Sequence, residues 1–308
     1  MVFKKIYTFV IKVFAYTKRK LEKSKHLWPQ DRLSKGLMKS YKSVMGYEFD
    51  INNPVLFTEK LQWYKLFYRK ENLERVVDKY LFKGYIKEKL GDGYTVPMYG
   101  AYSSISELEK AWDSLPEEFC LKSTLQSDGN FIKIIHNKSK TDFNRLKKEL
   151  GKWLKVKNTL INSYCSAYHN ATPRILAEEY IPALGQERLY DWKFFCFDGQ
   201  VHNIYVSTGN FGDAFHHISF YDTDWNMLEV KYGEHKPAII EKPKFFAEML
   251  EISEKLSKDF PFVRVDFFET DERLYVAELT LYPGGGFVAL EPESFNKEMG
   301  DKFILRKN

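Results

Sequence analysis

The chain has 308 residues, 44% of them hydrophobic and 17% aromatic, with a formal charge of +5; that is enough to bury one large core or two smaller ones. Its three cysteines, Cys120, Cys165 and Cys196, are too few and too scattered for a disulfide framework, and no Cys-x-x-Cys or paired Cys/His spacing marks a zinc site, so a reducing cytoplasm is the simplest setting. Neither a Walker-type phosphate loop nor Gly-x-Gly-x-x-Gly is present, so a nucleotide would have to be held in another way.

Charge is concentrated at the amino terminus. Residues 1–42 carry twelve Lys/Arg against Glu22 and Asp31, a balance of +10, which leaves −5 on the remaining 266. The apolar run from Ile6 to Tyr16 is broken by Lys12 and is far short of the roughly 20 residues that span a bilayer. No small-residue cleavage site follows it. Residues 1–25 read either as a basic amphipathic helix on an anionic membrane surface, peripheral to the inner face, or as a helix docked on the rest of the chain. Nucleic acid is not an expected partner, because no binding motif accompanies the lysines and the body is net acidic.

Beyond this extension, residues 56–88 have helical apolar spacing with Thr58 as the expected cap, and a second helix near 78–90 stops at Gly91-Asp92-Gly93. Strands are expected at 119–123 and 130–135, a helix at 142–155, and a polar irregular link at 157–172. Further strands follow at 174–181 and 189–197. Asp198-Gly199 is a hairpin turn into a strand at 201–207, and 243–258 is an amphipathic helix. With no internal repeat, this order predicts an α+β fold with mainly antiparallel sheets.

The last expected hairpin, 262–268 and 274–280 around a polar turn at 270–273, carries the chemistry. Alternation puts Arg264, Asp266, Glu278 and Thr280 on one face, with Asp266 opposite Glu278, and turns Val263, Val265, Phe267, Ala277, Leu279 and Leu281 to the core. Two adjacent carboxylates need a proton or a cation between them, and two hard oxygen ligands suit Mg²⁺ carrying a polyphosphate. The other reading is a surface ion cluster neutralised by Arg264. After the hairpin, the glycines of Tyr282-Pro-Gly-Gly-Gly286 would let backbone approach a ligand closely.

Arg264-x-Asp266, Glu278-x-Thr280 and Pro283-Gly284 resemble the carboxyl-terminal signature of ATP-grasp enzymes. Phe57-Thr-Glu-Lys-Leu-Gln-Trp63, Asp78-Lys-Tyr80, Ala177-Glu-Glu-Tyr180, Asp191-Trp-Lys-Phe-Phe-Cys-Phe-Asp-Gly199 and Phe220-Tyr-Asp-Thr-Asp-Trp225 are similar to the TupA-like ATP-grasp family, associated with bacterial surface-polysaccharide and teichuronopeptide synthesis. The resemblance implies an ATP-grasp fold of two α+β subdomains clasping a nucleotide. Its divisions would be a basic helical extension (1–55), a helical amino-terminal part (56–115), a small lid (116–181) and a catalytic subdomain (182–308). It implies Lys122 on the nucleotide phosphates, Glu178 on the adenine amine with Glu179, Tyr180 and Ile181 around the slot, Asp191 on ribose, and Lys193 on phosphate. Asp266, Glu278 and Thr280 would hold Mg²⁺, and Arg264 would face a reacting oxyanion.

One stretch departs from the family pattern. Where Asn-His-Gly-Ser-Gly-Gly is usual, the chain has Thr124-Leu-Gln-Ser-Asp-Gly-Asn130. The departure leaves open a shifted phosphate loop using Ser127 and Gly129, an altered site, or a member without catalysis. At His216-His217, either histidine could stand in for a basic phosphate contact. The implied activity is an ATP- and Mg²⁺-dependent ligase that joins an amine, such as an amino acid or amino sugar, to the carboxylate of a uronic-acid-type glycan or its lipid-linked precursor. Alternatives are a glycosyltransferase of a polysaccharide locus and a non-catalytic scaffold.

Overall fold

The computed structural model describes residues 30–126, 131–155, 164–181, 190–208 and 217–306. The expected basic helix at 1–25, the loop residues Ser127 to Asn130 and His216 lie outside them. Helix α1 (Gln30–Met45) presents Leu33, Leu37 and Tyr41 to the body and Arg32, Lys35, Lys39 and Lys42 to solvent. That division follows from a spacing of three and four on each face. No helix among the described residues is long and apolar enough to cross a membrane.

Helix α2 (Phe57–Phe67) begins where the Glu59 carboxylate accepts the N–H groups of Val55 and Leu56 at 2.8 and 3.0 Å. Glu59 therefore satisfies the orphan donors, and the expected cap at Thr58 is replaced. The Thr58 hydroxyl instead meets Tyr41 at 3.0 Å and accepts from the Asn296 amide at 3.1 Å. After the short α3 (Glu74–Val77), Asp78 caps α4 (Lys79–Leu90) as expected, accepting from Tyr80 and Leu81 N–H, and Gly91 ends it at φ 94°. Strand β1 (Met98–Tyr102) and α5 (Ile105–Ala111) follow, neither foreseen. Strands β2 (Phe119–Ser123), β3 (Ile132–Ile135) and β4 (Ile175–Glu178) lie where strands were expected. So does α6 (Phe143–Trp153), capped by Asp142. The expected irregular link contains a 3-10 turn at Ser166–Tyr168 flanked by buried Tyr164, Cys165 and Ala171.

These strands form a four-stranded antiparallel sheet in the order β1-β4-β2-β3. One face packs Phe119, Leu121, Ile135, Ile175 and Ala177 against Leu108 of α5 and Leu146, Leu150 and Trp153 of α6. The residues that alternate with them face away from that core.

A six-stranded antiparallel sheet holds β5 (Tyr190–Phe197), β6 (Gln200–Thr208), β7 (His217–Tyr221), β8 (Met227–Leu228), β10 (Val263–Glu269) and β11 (Leu274–Thr280), in the order β11-β10-β5-β6-β7-β8. The two-residue β9 (Lys231–Tyr232) pairs with β12 (Leu290–Glu291). Asp198 at φ 48° and Gly199 at φ 83° make the tight β5–β6 turn, as left-handed residues do in two-residue hairpins. Helix α7 (Phe246–Ser257) buries Phe246, Met249, Ile252 and Leu256 on one sheet face. On part of the other face, Phe57 of α2 meets Phe195, Phe197 and Phe262 at 5.0–6.1 Å between ring centroids. Helix α8 (Glu293–Lys302), also unforeseen, packs on α2.

The β10–β11 register agrees with the expected pairing of Asp266 with Glu278 and sets Arg264 opposite Thr280, but Phe267 pairs with Val276, so Ala277 is a bulge. Ala277 is accordingly exposed, not in the core, and Val276 is 2% exposed. A one-residue insertion reverses the facing of everything beyond it. The glycine turn after β11 also differs from expectation, because α2 is what approaches it. Gln62 Nε2 donates to the carbonyls of Gly285 and Gly286 at 3.2 and 2.8 Å, and the fully buried Lys65 donates to Gln62 Oε1 at 2.8 Å and to Gly285. Burial pulls the Lys65 ammonium down to about 8. A Cβ on Gly286, at φ 66°, would lie 2.3 Å from Gln62 Nε2 and 2.9 Å from Leu61 Cβ. Gly286→Ala is therefore expected to lower stability by about 3 kcal/mol through backbone strain and overpacking, read as a fall in the urea midpoint; an unchanged midpoint contradicts this packing.

Candidate active site

Antiparallel register builds the site in rungs. Glu278, Asp266, Lys193 and Tyr205 are successive cross-strand partners, and Thr280, Arg264 and Phe195 form the next rung. Directly opposed residues share a face, so the expected carboxylate pair is side by side. Arg264 Nε donates to Asp266 Oδ1 at 2.6 Å, while Nη2 donates to the other carboxylate oxygen and to Thr280 Oγ1 at 3.2 Å. Thus Arg264, expected at an oxyanion, has its guanidinium committed to its own strand and to β11. Lys193 Nζ is 3.0 Å from Asp191 Oδ2, as two residues of one strand face allow, and 3.8 Å from Asp266 Oδ2, which joins both to the carboxylate pair.

The electrostatics follow from poor hydration. Burial drives the Asp266 carboxyl above the ordinary aspartate value, with Arg264 and Lys193 pulling it back and Glu278 adding to the rise. Burial works against the Arg264 guanidinium, but Asp266 outweighs it and raises its pKa. Glu278 is half-buried, and its carboxylate has no hydrogen bond or ion pair among the described residues. Among those residues no group of three or more His, Cys, Asp or Glu could hold a metal ion. Asp266 and Glu278 form a pair of hard oxygen donors, a set that suits Mg²⁺ completing its shell with water and phosphate oxygens.

The small sheet contributes a second charged surface. Glu178 pairs with Met98 and Cys120, Cys120 with Ile134, and Lys122 with Leu176 and Ile132, so these side chains share the face opposite the α5–α6 core. Lys122 Nζ bonds Glu178 Oε1, and Lys83 Nζ of α4 lies 2.9 Å from Oε2. Lys83 also donates to the Val96 carbonyl at 2.6 Å. Met98, Ile132 and Ile134 are 42–45% exposed on this face, an open apolar rim around a buried carboxylate. Burial opposes the charges on Glu178 and Lys122, yet the ion pairs prevail: Glu178 is held below the usual glutamate value, and Lys122 above the usual lysine value by Glu178, Cys120 and Glu278. Glu278 of β11 is thus near enough to Lys122 of β2 to favour its charged form.

The remaining expected residues take no part in these ion pairs among the described residues. Glu179 is exposed; Tyr180 and Ile181 are half-buried, with the Tyr180 ring edge-on to His136 at 5.2 Å. Met98, Leu176, Ile132 and Ile134 are apolar neighbours on the Glu178 face. His217 is tied to the Lys236 carbonyl at 3.2 Å. Ser127 and Gly129 lie outside the described residues. Of the loop's start, Leu125 is 3% exposed and the Gln126 carbonyl accepts from Lys79 Nζ at 2.8 Å.

Sequence reasoning missed Lys79 and Lys83. Their signal was available: a spacing of four on a helix capped by Asp78 puts both ammonium groups on one side. A separate polar cavity of about 430 Å³ is lined by residues including Arg69, Lys70, Glu74, Ser166 and Asn170. Tyr168, between two of its lining residues, is near enough to Glu278 that the carboxylate adds to the rise that burial imposes on its hydroxyl.

The ion pairs of Glu178 have a pH signature. A carboxyl whose pKa is depressed on folding contributes stability above its unfolded value, and loses it as pH falls through the folded one. The Glu178 contribution is thus expected to be complete above the ordinary 4.5 and to fade on acidification below it. Glu178→Gln should flatten that part of the stability profile and lower stability at pH 7 by about 3 kcal/mol by stranding two lysines, measured by denaturant unfolding from pH 3 to 7. A parallel loss in wild type and variant contradicts the assignment.

A TupA-like ATPgrasp family matches residues 59–304, most of the chain. Among curated proteins none matches. Solved structures similar to it include a D-alanine–D-alanine ligase from Helicobacter pylori, at 15% identity and TM-score 0.45, covering 80% of this chain and 68% of that one. An N5-carboxyaminoimidazole synthetase from Staphylococcus aureus with ADP has 17% identity and TM-score 0.36 over 67% of this chain and 44% of that one. The D-alanine–D-alanine ligase from Bacillus anthracis with ATP has 15% identity and TM-score 0.39, covering 67% and 55%. The chain thus spans less than two thirds of the latter two. With the signature residues collected on two antiparallel sheets, the chain belongs to the TupA-like ATP-grasp family and has its α+β fold.

Proposed function

We propose that the protein is an ATP-dependent carboxylate–amine ligase. The observation that carries this reading is the nearness of Glu278 on the large sheet, where Asp266, Arg264 and Lys193 share its face, to Lys122 on the small one, which Glu178 binds. A buried carboxylate in an apolar rim suits a purine amine. Lysines bordering it suit phosphates as point charges, and a pair of acids suits a metal bound to those phosphates.

In this reading Glu178 accepts from the adenine amine, Asp191 from ribose hydroxyls, and Lys122 and Lys193 orient the triphosphate. Asp266 and Glu278, with Thr280 as a weaker oxygen donor, would hold Mg²⁺, which when bound offsets charge on the β- and γ-phosphates. The γ-phosphoryl group passes from ATP to a substrate carboxylate, breaking the bond to ADP and forming an acyl phosphate. An amine then attacks the acyl carbon, phosphate departs with the electron pair of the broken C–O bond, and the nitrogen loses a proton to form the amide. Arg264 exchanges one of its present hydrogen bonds to stabilise the intermediate oxyanion. Residues 116–181 act as the lid and 182–308 as the catalytic subdomain. The cavity beside Tyr168 offers room for a second substrate, and a uronic-acid-type glycan with an amino acid or amino sugar fits the family association.

ATP with Mg²⁺ at 100 times its dissociation constant is expected to stabilise the wild type by about 2.7 kcal/mol, seen as a rise in Tm. Glu278→Gln should lose the Mg²⁺-dependent part. With oligouronides and an amino-acid mixture, release of both ADP and phosphate supports the ligase. Release of a nucleoside diphosphate from a sugar nucleotide, or no response to any nucleotide, contradicts it.

A further inference from the structure

The buried carboxylate of Glu178 has more positive charge around it than one hydrogen-bonding role requires. Its two oxygens are bound by lysines from different elements: Lys122 of β2 at Oε1 and Lys83 of α4 at Oε2, 2.9 Å away. The Glu178 side chain is 4% exposed, that of Lys83 12% and that of Lys122 27%. Lys122 is thus the more open of the two, and Glu278 is near enough to help hold its charge. Lys83 is anchored a second time, by the Val96 carbonyl at 2.6 Å. Lys83 is thus held at two points, and Lys122, the more exposed, by Glu178.

This difference matters if a nucleotide enters. Triphosphate oxygens compete for Lys122, and a carboxylate so deeply buried, with Met98, Leu176 and Ile134 around it, takes up a proton unless a cation stays beside it. We propose that Lys83 keeps Glu178 ionised when Lys122 turns to the phosphates, so that Lys83 fixes the preference of the site for a 6-amino purine. The inference rests on the nucleotide-binding reading above and goes beyond it by making Lys83 a positioning residue. A carboxylate accepts from the adenine amine but repels the 6-oxo group of hypoxanthine. A protonated Glu178 would instead donate to that oxygen, and the preference would collapse.

The test compares ATP with inosine triphosphate by calorimetric titration of the full chain in Mg²⁺, for the wild type, Lys83→Met and Lys83→Arg, from pH 6 to 9. A hydrogen bond to a charged group corresponds to a preference on the order of tenfold or more. Wild type is expected to favour ATP by at least that factor across the range. Lys83→Met should reduce the factor to about twofold at pH 6 and recover part of it at pH 9 as Glu178 ionises, and Lys83→Arg should restore it, results that a merely structural role for Lys83 would not give. Wild-type ATP binding with unchanged discrimination in Lys83→Met overturns the inference alone. Absence of ATP binding in the wild type overturns the nucleotide reading and the inference with it. Should Lys83→Met fail to fold, a Lys83→Arg variant that binds both nucleotides equally also overturns it.

Discussion

Charges removed from water persist only in compensated sets, and here one such set is mounted on each of the two larger sheets. Asp266 is compensated by Arg264 and Lys193, and Glu178 by Lys122 and Lys83. Replacing one member strands its partner at a cost of several kcal/mol, so each set is tied to the backbone elements that supply it. The first spans three strands, counting the contact of Arg264 with Thr280. The second joins a helix to two strands of the small sheet. Glu178 and Asp266 occupy interior strands, flanked by hydrogen-bonded neighbours on both sides, which limits how far either cluster can relax.

Apolar packing sets the limits of the charged rungs on the large sheet. Phe57 covers the sheet at Phe195, Phe197 and Phe262, and the same helix reaches the turn after β11 through Gln62 and Lys65. Helix α2 therefore closes one half of the face and fixes the exit of the strand that carries Glu278 and Thr280. The fully buried Lys65 is a costly device for this, eased by two carbonyl-type acceptors and by the Phe287 ring at 4.2 Å. Its placement beside glycine carbonyls accounts for Gly286, where any larger residue meets Gln62.

Much of this was legible in the sequence where period two is unbroken. Alternation from Val263 to Asp266 and from Glu278 to Thr280 predicts the facing carboxylates, and the Asp198-Gly199 turn predicts the hairpin beside them. The failures have local causes. The bulge at Ala277 leaves no trace in composition. Thr58 lost the cap to Glu59 because a longer carboxylate reaches back to two N–H groups. The glycine turn reads the same whether a ligand or a helix approaches it, since glycine reports closeness and not the identity of the neighbour. Lys83 was invisible to strand logic because its partner is 95 residues away in the chain, although its spacing from Lys79 marked a common face.

The central claim is that both sheets close on one nucleotide. Amide hydrogen exchange of the full chain, with and without ATP and Mg²⁺, tests it most directly, because exchange reports local opening of each element separately. The account expects added protection in β2, β4 and the amino-terminal turn of α4 together with β10 and β11, at the same ATP concentration. Protection confined to one sheet, or to neither, would contradict it.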